Sequence, residues 1–167
     1  MSEVTIGPGA YYVISDLLMT MLKPNQQEEV VVFEPSYPCY YDHITYANGV
    51  VKGAALDLKD GQWVFNPENF RKALNSKPKV LILNNAQNPT GKVFTVEEMT
   101  QISEILKEFP QVMVISDEVY DFLTFDDTKF VPFSTIGDNF NKTVTVWSGG
   151  KLFNATGWKC GWGVGPA

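Results

Sequence analysis

The chain has 167 residues, with 13 Lys plus Arg, 19 Asp plus Glu, one His and two Cys, and a net charge of −6. One domain is the natural expectation at this length, and 44% apolar residues suffice for a core without disulfide staples, so Cys39 and Cys160 point to a reducing compartment. The acidic balance argues against a nucleic-acid or anionic-membrane partner, no run nears the roughly 20 apolar residues of a bilayer span, and Met1-Ser2-Glu3-Val4 carries no secretion signal.

Val4-Thr5-Ile6 is a strand pattern closed by Gly7-Pro8-Gly9. Ala10 to Leu22 then places Val13, Ile14, Leu17, Leu18, Met21 and Leu22 at helical spacing, and Lys23 to Glu29 is a polar loop. Val30-Val31-Val32-Phe33 stops at Glu34-Pro35, and a weaker helical pattern follows Tyr37. Val50-Val51 leads through Gly53 to Ala54-Ala55-Leu56. Pro67 to Leu74 has Asn66 as N-cap and Pro67 as first helical residue. Val80-Leu81-Ile82-Leu83 stops at Asn84-Asn85. Thr95 to Phe109 is a helix with a Thr95/Glu98 capping box and a stripe of Val96, Met99, Ile102, Ile105, Leu106 and Phe109. Val112-Met113-Val114-Ile115 stops at Ser116-Asp117-Glu118, and Val144-Thr145-Val146-Trp147 stops at Ser148-Gly149-Gly150. A last run around Trp162 and Val164 is broken by Gly161, Gly163 and Gly165. The alternation predicts an α/β fold with a mostly parallel sheet, and the continuous β-branched runs predict strands buried on both faces.

In open α/β sheets ligands bind beyond the carboxyl ends of the strands. Four strand ends here run into unusual segments: Gly7-Pro8-Gly9, Asn84 through Gly91, Ser116 through Tyr120, and Ser148-Gly149-Gly150-Lys151. A lysine leaving a strand end into a cleft is expected to be partly desolvated, which favours the free amine, and a free amine adds to an aldehyde. Asp117, after an apolar strand, reads either as a helix cap or as a buried carboxylate facing a cation. Asn88-Pro89-Thr90-Gly91 alone reads as a turn; Tyr37 and Tyr40 read as core aromatics or as a platform for a flat ligand. The lone His43 reads as structural, and Cys39 and Cys160 as packing residues.

Three blocks, Asn88-Pro89-Thr90-Gly91-Lys92-Val93-Phe94, Ser116-Asp117-Glu118-Val119-Tyr120, and Ser148-Gly149-Gly150-Lys151 running on to Trp158-Lys159, are distinctive in content, order and spacing. Together they resemble the fold-type I, pyridoxal-phosphate-dependent aminotransferases of classes I and II, over nearly the whole chain. The last block is most similar to the kynurenine aminotransferase and cysteine-conjugate β-lyase branch. The resemblance implies that Lys151 holds pyridoxal 5'-phosphate covalently and later moves a proton. It implies that Asp117 faces the cofactor's ring nitrogen, that Asn88 and Tyr120 reach its ring oxygen, and that Tyr37 stacks on the ring. Ser148 and Lys159, with the backbone at Gly7, Gly9 and Ala10, are implied phosphate ligands. Pro8 departs from that turn because it has no N–H to give, and Lys159 offers a point charge where an arginine would offer a fork.

The resemblance further implies a mostly parallel seven-stranded sheet with helices on both faces and an antiparallel last strand. It also implies cis bonds before Pro35 and Pro89. Residues 1–167 match the core of the family's cofactor-binding large domain; the family's small domain and its arginine for the substrate carboxylate have no counterpart in the sequence. The expected function is transfer of an amino group between an amino acid and a 2-oxo acid. The alternative is an inactive or structural cofactor-binding fragment. The expected setting is cytoplasmic, with a mitochondrial one left open, and the expected assembly a homodimer in full-length form or a complex with a chain supplying the missing segments.

Overall fold

The structure, a computed structural model, describes residues 3–167; Met1 and Ser2, part of the start read as lacking a secretion signal, lie outside them. Seven strands form one sheet: β1 (Val4–Pro8), β2 (Glu29–Glu34), β3 (Val50–Ala55), β6 (Val80–Asn84), β7 (Met113–Asp117), β8 (Thr143–Ser148) and β9 (Cys160–Val164). A small hairpin, β4 (Asp57–Lys59) and β5 (Gln62–Val64), stands apart. The sheet order is β1-β9-β8-β7-β6-β2-β3. The β3–β2–β6–β7–β8 block is parallel throughout, and β9 runs antiparallel to both neighbours, β8 and β1. This is the mostly parallel seven-stranded sheet that the sequence leads one to expect.

Side-chain alternation along the central strands divides the core in two. Val31, Phe33, Leu81, Leu83 and Val114 point to the face covered by α3 (Pro67–Leu74) and α4 (Val96–Lys107). Val30, Val32, Val80, Ile82 and Ile115 point to the opposite face, covered by α1 (Ala10–Met21) and α2 (Cys39–Tyr46). Both predicted caps form. Asn66 Oδ1 accepts from the N–H of Glu68 and Asn69, and Thr95 and Glu98 make a reciprocal capping box. The peptide bonds before Pro35 and Pro89 are cis, as is Asn85–Ala86.

Burial on both faces holds for the central strands but not for β1, which is an exposed edge with Ile6 78% accessible. An edge strand needs only one neighbour for its ladder, and β9 supplies it. The hairpin was also missed by the apolar pattern, although Asp60-Gly61 is a strong turn signal: both residues have positive φ.

Where the chain enters α1, two glycines are required. Gly9, at φ 87°, is the N-cap and donates its N–H to Gly7 O at 2.7 Å. Gly161 of β9 packs so closely that a Cβ there would run into the backbone of Gly9 and Ala10. Gly161→Ala should therefore lower stability by about 1–3 kcal/mol in urea unfolding, as overpacking does. Gly157→Ala, where a Cβ meets nothing within 4 Å, should stay within about 0.5 kcal/mol of the parent.

Candidate functional site

The carboxyl ends of β2, β6, β7 and β8 open on one cavity of about 470 Å³. Of the residues singled out from the sequence as cofactor contacts, all but one line it: Tyr37 beyond β2, Asn88 beyond β6, Asp117 at the end of β7 with Tyr120 after it, and Ser148 at the end of β8. Gly7 does not: it lies back within β1, its carbonyl taken by the Gly9 N–H. Lys151 comes from the short helix α5 (Gly149–Leu152), Lys159 from the turn before β9, and Gly9 and Ala10 from the start of α1.

Asp117 is 5% exposed, and among the described residues no cation lies within ion-pair distance of it. Its Oδ2 accepts a hydrogen bond from Tyr40 Oη, and its Oδ1 a long one from Val119 N–H at 3.4 Å. Burial pushes its carboxyl up to about 6; the Tyr40 bond, the Val119 N–H and the more distant Lys151 charge pull the other way. Glu118 is fully buried on the opposite side of the chain. Its Oε1 accepts from Ser116 Oγ at 2.7 Å and Phe133 N–H at 3.1 Å, while Oε2 has no partner. Burial raises its carboxyl to about 7.

Asn88 is held by a relay the sequence reading did not resolve. Asn84 Nδ2 donates to Asp117 O at 3.0 Å, and Asn84 Oδ1 accepts from Asn88 N–H at 2.8 Å. Asn85 joins the same relay, its N–H on Asp117 O and its Oδ1 accepting from Phe94 N–H. Further along, Lys92 Nζ reaches both oxygens of Glu98 at 2.8 Å, closing the loop that carries Asn88. The signal for this relay was two asparagines directly after an apolar strand, where a buried amide must find partners.

At the other end of the cavity α1 begins with no side-chain cap, so its first N–H groups remain free to meet an anion. Lys159, in the left-handed region at φ 53°, lies beside Gly9. Lys151 differs from expectation. It is exposed rather than partly desolvated, because α5 sits at the cavity mouth; its Nζ lies 5.6 Å from the Tyr120 ring centroid. Tyr37 is half-buried and meets Tyr40 edge to face at 5.5 Å. His43 is buried one turn beyond Tyr40 with its ring 4.2 Å from that of Tyr11, and both its nitrogens are without partners. Among the described residues no His/Cys/Asp/Glu cluster could hold a metal ion.

The arrangement combines a primary amine, a buried carboxylate, an aromatic wall, hydrogen-bonding groups from Asn88 and Tyr120, and a cationic, N–H-rich end. The family model "Aminotransferase class I and II" matches residues 1–167. A kynurenine–oxoglutarate transaminase from Dictyostelium discoideum is 34% identical over 100% of this chain and 41% of its own length. Kynurenine–oxoglutarate transaminase 3 from Mus musculus is 34% identical over 99% of this chain and 37% of its own. The structure of N-succinyldiaminopimelate aminotransferase from Mycobacterium tuberculosis superposes with a TM-score of 0.93 at 32% identity, covering 98% of this chain and 42% of that one. The chain thus spans about two fifths of the length of the relatives it matches.

The two raised carboxyls make ligand-free stability depend on pH. Each carboxyl ionises more readily in the unfolded chain, so the stability it confers is complete below about pH 4 and lost as pH rises through about 6 for Asp117 and about 7 for Glu118. Glu118 alone accounts for on the order of 3 kcal/mol by pH 8. Urea unfolding across this range should show stability falling with rising pH. Glu118→Gln and Asp117→Asn should each remove roughly half of the slope.

Proposed function

The chain belongs to the class I and II aminotransferase family, and on that premise we propose that it binds pyridoxal 5'-phosphate in the 470 Å³ cavity and contributes to amino-group transfer between an amino acid and a 2-oxo acid. The observation that carries this reading is the meeting of Lys151, Asp117, Asn88, Tyr120, Tyr37 and Ser148, from beyond four strand ends, with Lys159 from the turn before β9, around one cavity. The residues fit the cofactor. Asp117 is a buried carboxylate without a cationic partner, as a protonated ring nitrogen requires, and the uncapped start of α1 suits a phosphate.

When bound, the cofactor supplies an aldehyde and an electron-accepting ring. Lys151 Nζ is the amine that would bind the aldehyde, and as a free amine it would take and return the proton at the substrate's α carbon. Asp117 would keep a proton on the ring nitrogen. Asn88 and Tyr120 would donate to the ring oxygen, and Tyr37 would supply the aromatic wall. Ser148, Lys159 and the start of α1 would hold the phosphate; Gly9 spends its own N–H on Gly7 O, which would leave Ala10 and the next residues of α1 as the backbone donors.

Residues 1–167 are read as the core of the cofactor-binding large domain. A second reading, a cofactor-binding module without fast turnover, draws on the cations of the site. They are Lys151 and Lys159. Arg71, the sole arginine of the sequence, is paired with Glu108 at 2.6 Å. Positioning of a substrate can supply roughly 7–11 kcal/mol of barrier reduction, and no guanidinium in the cavity is there to grip its carboxylate. The exposed Ile6, Phe153 and Trp158 are read as surface for a second subunit of a homodimer or for a chain carrying further segments. The free cysteines accord with a cytoplasmic setting, and no helix among the described residues is long and apolar enough to cross a membrane.

Incubation with pyridoxal 5'-phosphate followed by borohydride should add one pyridoxyl phosphate group, seen by intact-mass spectrometry, and Lys151→Ala should add none. Asp117→Ala should weaken retention by at least about tenfold, as loss of a charge-assisted contact does. Labelling of Lys151→Ala at the parent's level would sink the reading. Addition of amino acid and 2-oxo acid to the loaded chain should give slow product formation; rapid turnover would reject the module reading and leave the cofactor site standing.

A further inference from the structure

We propose that Tyr40 is the positioning residue of the site: its hydroxyl sets the orientation and the charge of Asp117, and through Asp117 the protonation of whatever ring nitrogen the cavity receives. The proposal rests on the cofactor reading above and adds to it a residue that touches neither the amine nor the cavity's anion end.

Tyr40 is 2% exposed and lies on α2, an element that reaches the site from the face opposite α3 and α4. Its hydroxyl makes the one hydrogen bond from a side chain to the Asp117 carboxylate among the described residues. The remaining contact, Val119 N–H to Oδ1, is long at 3.4 Å. A carboxylate at the end of a strand has a free χ1 and χ2, so without Tyr40 nothing but that weak N–H would fix the plane of the Asp117 carboxylate. Other titratable groups around Asp117 do not replace it. Tyr37 and Tyr120 carry phenols that act on Tyr40 through space, Glu118 and Asp121 are acidic neighbours, and Lys151 stands too far off for an ion pair. Tyr40 also touches the Tyr37 ring edge to face. One side chain therefore ties the aromatic wall of the cavity to the carboxylate at its floor.

The chemical consequence follows from the donor's direction. The phenol donates to Oδ2 and disperses negative charge on Asp117, so the carboxylate is a weaker base and leaves the shared proton on the ring nitrogen. Without the phenol the carboxylate becomes the stronger base, and the proton moves toward Asp117.

The test uses the chain loaded with pyridoxal 5'-phosphate isotope-labelled at the ring nitrogen, comparing the parent, Tyr40→Phe, Tyr40→Leu and Lys151→Ala. Borohydride trapping reports whether the cofactor site exists, heteronuclear NMR reports the ring-nitrogen shift, and equilibrium dialysis reports retention. Tyr40→Phe keeps the ring and its contact with Tyr37. It should still trap one cofactor on Lys151, but its ring-nitrogen resonance should move toward that of neutral pyridine, and retention should weaken by about tenfold. Tyr40→Leu should show the same shift plus a further loss of retention. If Tyr40→Phe leaves the resonance in place, Tyr40 is packing alone and the proposal is overturned, whatever happens to retention. Absence of Lys151-dependent trapping in the parent overturns the cofactor reading itself and the Tyr40 role with it.

Discussion

A parallel sheet buried on both faces excludes charged and amide side chains except at its ends, and this constraint organises the molecule. The interiors of β2, β6, β7 and β8 hold apolar side chains and the small hydroxyls of Ser116 and Thr145, because each lies between helical layers. Their registers bring the ends level: Asn84 pairs with Asp117, and Asp117 with Val146. Charged and amide groups kept out of the strand interiors therefore gather along one edge. The site is the consequence of that exclusion, and the helices that enforce it also deliver Tyr40 and the free N–H groups of α1.

The adjacent acids Asp117 and Glu118 show how strand alternation divides labour. Glu118 turns toward Phe133 and is satisfied on one oxygen by Ser116 and the Phe133 N–H. It anchors the segment following β7 to the α3–α4 side of the core. Asp117 turns toward the cavity and meets Tyr40. Both carboxyls are raised by burial, so both weaken the ligand-free fold as pH rises. Only Asp117 lines the cavity, where a cationic ligand group would offset that cost. Such tension between stability and an unpaired buried charge is typical of a site built for a partner.

The approach to α1 shows a different kind of economy. Gly9 needs its positive φ to turn from β1 into the helix, and Gly161 needs to lack a side chain so that β9 can pass beneath it. β9 itself runs against its neighbours, which closes the parallel block and brings Lys159 and Cys160 to the cavity's rim. The antiparallel edge thus supplies the cationic end that the parallel strands, ending in Asn84, Asp117 and Ser148, do not contain.

By itself the sequence determined the class of fold, because β-branched runs and 3.6-residue stripes report burial directly: Val80 to Leu83 and the Met99–Leu106 stripe each state their environment without reference to the rest, although Val96, at the start of that stripe, is left exposed. Caps were legible for the same reason, since Asn66 and Thr95 bond to residues two or three positions away. The segments at the strand ends were legible as polar interruptions, and their resemblance to known blocks named the residues that meet in the cavity. What only the tertiary structure decided were relations across long separations. Tyr40 and Asp117 stand 77 residues apart, and nothing local distinguishes a tyrosine that holds a carboxylate from one that fills a core. The exposure of Lys151, the edge position of β1 and the unpartnered ring of His43 likewise depend on what packs alongside, and packing partners are a property of the folded chain.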